Sequence, residues 1–208
     1  MSVPLSTALS VARAYLNDTN ATQFPDPVLI PLMQEAHREL QEELWSAGSP
    51  VVRAQSSVLA YTSGSTTFPT LPTDLLCPTK IFENAVSSVL TSAGWTPMTE
   101  VFYLPLGQAQ QATLGYWCWQ QEAIQIIGAS ANRTAVVQYR CNITIPQLST
   151  DLIGILYGES YMGARGAAMA AGTLGNADLY ASLASMAKEN LAKVISNNRG
   201  QQKPLLKP

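Results

Sequence analysis

The spacing of apolar residues changes twice along this chain, and that change constrains the fold more than any other feature. Leu5, Leu9, Ala12 and Leu16 recur every three or four residues, which predicts one amphipathic helix ending near Asn17-Asp18. Asp26-Pro27 opens a second, with Asp placed to accept from free first-turn amides and Pro suited to the first helical position. Its apolar face is Ile30, Met33, Leu40 and Leu44, and Gly48 with Pro50 stops it near Ala47. From Val51 the period drops to two: Val52, Ala54, Val58 and Ala60 alternate with Arg53, Gln55 and Ser57. The same alternation recurs over 116–119, 123–127 and 135–143, which predicts a small antiparallel meander. After Pro146 the helical period returns, first in a stretch containing Gly163, Gly166, Ala167, Ala170 and Ala171, then in Leu179, Leu183, Met186, Leu191 and Val194. The small residues predict close helix packing, and the Gly, Gln and Pro of 197–208 predict a non-helical tail.

This order predicts an α+β, mainly α chain: a four-helix bundle-like core, an inserted small antiparallel β region, and an extended C-terminal arm. The corresponding segments are 1–50 for the N-terminal helices, 51–146 for the β-rich insertion, 147–197 for the C-terminal helices of the same core, and 198–208 for the arm.

At 208 residues the chain is long enough to bury roughly 70% of its unfolded surface without disulfides or metals. Only 12% of residues are charged, about half the usual ~25%, yet no apolar run approaches the ~20 residues of a membrane span. Such a composition predicts no membrane segment and a surface that meets protein rather than water. Met1 to Leu5 lack the basic region and apolar core of a secretory signal, which predicts a chain made and kept in a cytoplasm. Cys77, Cys118 and Cys141 have no paired spacing and read as reduced thiols. In such a chain the four glycosylation-like sequons, beginning at Asn17, Asn20, Asn132 and Asn142, read as turn composition. Charge is polarised: Glu35, Glu39, Glu42 and Glu43 crowd the second helix, while Arg199, Lys203 and Lys207 follow the last acid, Glu189.

Catalytic signatures are incomplete. Gly158-Glu159-Ser160-Tyr161-Met162 begins like a nucleophile elbow but lacks its second glycine, and the one available base, His37, reads as a surface or rim residue. A phosphate loop starting at Gly158 fails because Ala164-Arg165 stands where Lys and Ser/Thr are required. Asn17-Asp18-Thr19-Asn20 lacks the glycine and terminal glutamate of a calcium loop and reads as a capped turn. Trp117 and Trp119 could stack bases, but without a basic groove they read as core or interface residues. Glu35, Glu39 and Glu43 share one helical stripe, either a solvated face or a surface that repels passing DNA. The reading is of a non-enzyme that needs no cofactor and no metal.

Several pieces together resemble the head-to-tail adaptor (connector, head-completion) proteins of tailed bacteriophages: Leu16-Asn17-Asp18, the Asp26-Pro27 helix with Ala36-His37-Arg38-Glu39-Leu40-Gln41, Leu71-Pro72-Thr73-Asp74-Leu75, Pro97-Met98-Thr99, Tyr116-Trp117-Cys118-Trp119, and the Ala-rich C-terminal helices. The likeness covers about residues 5–197 and departs from the pattern in the uncharged segment 85–94. It implies a structural virion protein at the neck, assembled in the host cytoplasm as a homo-oligomeric ring, typically of twelve copies, docked on the portal protein and joined below to a tail or nozzle protein. It further implies that Arg199, Lys203, Pro204, Leu205, Leu206 and Lys207 contact the portal, with Glu35, Glu39 and Glu43 as channel-lining candidates. DNA would pass through the bore without specific binding. Three other roles compete: a tail-side neck protein of the same virion, a DNA-packaging accessory that binds nucleic acid, and a small hydrolase using Ser160 or His37.

Overall fold

The computed structural model describes residues 2–85, 90, 93–105 and 107–198. Their chain falls into two units, one built from residues up to Val52 and from Ile143 onward, the other from Arg53–Asn142. The first unit holds four helices, α1 (Leu5–Leu16), α2 (Asp26–Ser46), α3 (Gly158–Thr173) and α4 (Ala177–Asn198). Helix α3 is the hub, with α1, α2 and α4 each packed on it. Its small face explains why. A Cβ on Gly163 would lie 2.6 Å from Val11 Cγ1, so glycine lets α1 approach to backbone distance. The core of this unit runs through Leu5, Leu9, Leu29, Met33, Leu40, Leu44, Ile153, Ile155, Met162 and Leu183.

The second unit contains β1 (Arg53–Gln55), β2 (Leu59–Tyr61), β3 (Leu75–Asn84), β4 (Thr96–Pro97), β5 (Thr99–Glu100), β6 (Tyr116–Gln120), β7 (Ala123–Ile126) and β8 (Arg133–Cys141). Strand β8 is central to a five-stranded sheet, flanked on one side by β1 and β2 and on the other by β3, with β4 beyond. A three-stranded sheet follows the order β5-β6-β7. Its β6–β7 hairpin turns on Gln121 and Glu122, both with positive φ (52° and 59°), the conformation that suits a two-residue turn to strand twist.

The mainly α, four-helix-bundle-like fold expected from the sequence is overturned. With four helices and eight strands in two sheets among the described residues, 39% helical and 23% strand, this is a mixed α/β fold with no bundle core. The helices gather on α3 instead of closing around a shared axis. The meander also fails: β8 leaves β7 for the other sheet, and β5 runs parallel to β6. Strand β3 escaped the periodicity because Pro78 interrupts it beside two register shifts and because its last four residues are all buried, which erases the two-residue alternation. Asn197 and Asn198, assigned to a non-helical tail, belong to α4. The arm at 199–208 and most of the uncharged segment (86–89, 91 and 92) lie outside the described residues.

Candidate functional site

Helix α2 carries the acidic stripe, and the structure separates its three members. Glu35 is exposed and accepts from Arg38 at 2.8 Å, a pair one turn apart. Glu39 is half-buried and receives a two-pronged bond from Arg165 on α3, Nε at 2.6 Å and Nη2 at 2.8 Å, with the Tyr161 hydroxyl at 3.5 Å. Those Arg165 bonds outweigh the upward push of burial and hold the Glu39 carboxyl below its ordinary range. Burial, then the Glu39 charge, pushes the Tyr161 phenol up to about 12. Glu43 is exposed. With Glu39, Tyr161, Arg165, Lys188 and Leu191 it lines a cleft of about 450 Å³ walled by α2, α3 and α4. The stripe is therefore not a row of equivalent anions: Arg165 neutralises its centre, and the cleft offers mixed charge on an apolar floor.

The sequence did not single out Arg165 or Lys188 as partners of these acids. Local spacing could have suggested only that Tyr161 and Arg165, four apart, share a face of α3.

His37 is fully buried, not a rim residue. It follows Met33 by four positions and precedes Leu40 by three, so the helix turns it onto the apolar face. Gln41, one turn on, clamps the backbone of Ile143 where the chain returns to the helical unit: its Nε2 donates to the carbonyl at 2.8 Å, and its Oε1 accepts from the amide at 2.9 Å. The same Nε2 lies 3.1 Å from His37 Nδ1, while Nε2 of His37 has no partner. Burial, then the Arg38 charge, lowers the His37 pKa to about 4.

The remaining motifs resolve into structural roles. Asp18 accepts from the amides of Thr22, Gln23 and Phe24 and from the Thr22 hydroxyl, closing the turn after α1. Burial alone would raise its pKa; these bonds lower it. Asp26 does not cap α2, which has Pro25 in that position; it pairs with Arg13 of α1. Gly158 opens α3 where a Cβ would press at 3.3 Å on Ile153, Ile155 and Leu40, so the glycine of the elbow-like motif serves packing. Trp117 is core and Trp119 lies at its edge. Among the described residues, no three of His, Cys, Asp and Glu lie close enough to hold a metal ion, and no helix is long and apolar enough to cross a membrane.

Of the residues assigned to portal contact, Arg199, Lys203, Pro204, Leu205, Leu206 and Lys207 all lie outside the described residues. Their root is described. Asn198, the last residue of α4, is fully buried, and its Nδ2 donates to Leu156 O at 3.0 Å and Val194 O at 2.8 Å. No family model matches the chain, and no curated protein matches it.

Proposed function

We infer that this chain is a structural virion subunit, a portal-docked adaptor that forms a ring between head and tail and whose bore conducts DNA. The observation that supports this most is the buried, doubly bonded Asn198. It fixes the point from which a segment bearing three cations and Leu205-Leu206 departs from a chain of net charge -2. A short cationic segment following a fixed root suits a weak contact repeated around a ring, where multiplicity supplies the strength that one segment lacks. A head-to-tail interface closes such a ring. On this reading Glu35, Glu39 and Glu43 face the bore, where acidic or internally neutralised groups let duplex pass while basic ones would hold its phosphates.

Light scattering of the protein alone, and after mixing with purified portal rings, tests the reading when full-length chain is compared with one ending at Asn198. Portal-dependent assembly lost on truncation supports it. A full-length protein that ignores portals but is retained on the head-proximal ends of tails would belong on the tail side of the neck. Retention on duplex DNA that weakens steeply with salt would replace it with a packaging accessory.

A further inference from the structure

The cleft between α2, α3 and α4 opens where the last helix ends. Both outer helices run opposite to α3: Met33 and Leu40 of α2 meet Gly166 and Gly158 in reverse order, and Asn190 and Asn198 of α4 donate to Ser160 O and Leu156 O at 3.2 and 3.0 Å. The last turns of α2 and α4 therefore lie together beside the start of α3. At this mouth stand Glu42 and Glu43 on the α2 wall, one turn beyond Glu39, and Leu191 on the α4 wall, one turn beyond Lys188. Deeper in, Arg165 is already bonded to Glu39. Three carboxylates against two cations leave the lining with one net negative charge, concentrated at the mouth. Asn198 follows Leu191 by seven residues, on the same helical face and about 10 Å further along. Its Nδ2 donates to two carbonyls, while its Oδ1 is buried and has no donor. A bare buried acceptor at the mouth points to a donor from beyond the described residues.

We propose that residues 199–208 of the same chain fold back into this cleft, with their cations against Glu42 and Glu43 and Leu205-Leu206 on the apolar floor. Charge and tether select this occupant. The segment carries Arg199, Lys203 and Lys207 and no acid, and Arg199 and Gln201 bring donors beside Asn198 Oδ1. Seven residues from Asn198 to Leu205 can span about 23 Å, while Lys188 lies about 15 Å back along α4. Such a tether sets an effective concentration of about a millimolar, at which a contact too weak to hold a separate molecule is filled. Nucleic acid is turned away by the same carboxylates. The contact itself does not depend on the portal reading, but its consequence rests on it: a portal must compete with the cleft for the segment. Winning that competition would uncover Glu39 and Glu43 for the bore.

The test pairs Leu205→Cys with Lys188→Cys, in the cleft, or with Glu189→Cys, its exposed neighbour turned away from the cleft, in chains carrying Cys77→Ser; Cys118 and Cys141 are buried. Positions 188 and 189 are matched in exposure and in reach from Asn198. Mild oxidation of dilute protein should close the 188–205 bridge on the order of tenfold faster than the 189–205 bridge, the bias that two surface ion pairs supply. Adding Glu42→Gln and Glu43→Gln should lower the first rate to the second, and the product should keep the mass of one chain. Equal rates at the two positions, or a 188–205 rate indifferent to that loss of charge, overturns the proposal. So does a product with the mass of two chains, which would assign the cleft to a neighbour's segment. Portal rings that slow the 188–205 bridge support the competition, whereas a bridge that forms regardless of rings upholds the contact and counts against the portal reading.

Discussion

Between pH 7 and 5, acid should destabilise the helical unit through one residue, His37. Because Oε1 of Gln41 accepts the Ile143 amide, the Gln41 amide cannot turn over without losing both backbone bonds, and it must present N–H to His37 Nδ1. Nδ1 is therefore bare, and the ring proton sits on Nε2, which has no partner. A second proton would set Nδ1–H against an N–H donor inside a buried site, which reinforces the lowering to about 4 from 6.5 that burial and Arg38 produce. The folded state thus binds fewer protons than the unfolded one between these values, so stability falls as pH drops from about 6.5 toward 4. The loss is about 2 kcal/mol at pH 5 and approaches roughly 3.4 kcal/mol below pH 4, at 1.36 kcal/mol per unit. At pH 5 that lowers the midpoint by about 4–8 °C for a chain of this size. Urea titrations followed at 222 nm isolate the unit, because all four described helices lie in it. His37→Leu removes the titrating ring, exchanges one orphaned donor for another on Gln41, and should sit within ~1 kcal/mol of the parent at pH 7. Its stability should be nearly flat from pH 7 to 5. Parallel losses in parent and variant over that interval would refute the argument.

Glu39 acts lower on the pH scale: with its folded pKa depressed, the Arg165 pair contributes fully above about pH 4.5 and is lost as pH falls through the folded value, so Glu39→Gln should flatten the profile only below that point. Glu83, 5% exposed, accepts from the Leu114 amide at 2.8 Å and Arg133 Nε at 3.1 Å, so Glu83→Ala should cost about 3–5 kcal/mol by stranding a buried cation. Tryptophan fluorescence reads that loss, since Trp95, Trp117 and Trp119 all belong to the β unit, and Glu83→Leu with Arg133→Met should cost less than the single change. Gly163→Ala should destabilise by about 1–3 kcal/mol, because its Cβ meets the stiff Val11 and, at 3.1 Å, the Ala8 carbonyl. Gly166→Ala meets only the pliant end of Met33 and should be milder, a contrast that thermal melts of the two variants decide.

Elements whose apolar residues face one way were legible in the sequence; those fixed by distant partners were not. Helix α1 follows its Leu5-Leu9-Ala12-Leu16 stripe because one face meets the core and the other meets water. Strand β3 carries Phe82, Glu83 and Asn84 buried in succession, a pattern no period-two reading recovers, and Pro78 reads locally as a break. The pair at the centre of the acidic stripe joins residues 126 apart, so neither helix alone reveals that Arg165 neutralises Glu39.

The misjudged polar residues share one cause. His37 reads from the sequence as a surface or rim residue and Asn198 as the start of a non-helical arm, yet each is buried beside a polar backbone group brought from elsewhere: Ile143, reached through Gln41, for the first, and Leu156 for the second. Burial of a polar side chain depends on whether the fold delivers a partner, and the unfolded-state preference recorded in local composition carries no information about that delivery. The converse holds for Phe102 and Tyr103, which composition assigns to a core but which the hydrogen bonds of Val101 and Gln120 hold out in solvent. In a chain with so few charges, buried polar residues pin its irregular segments in place, and displaced aromatics are where another molecule gains the most area from contact.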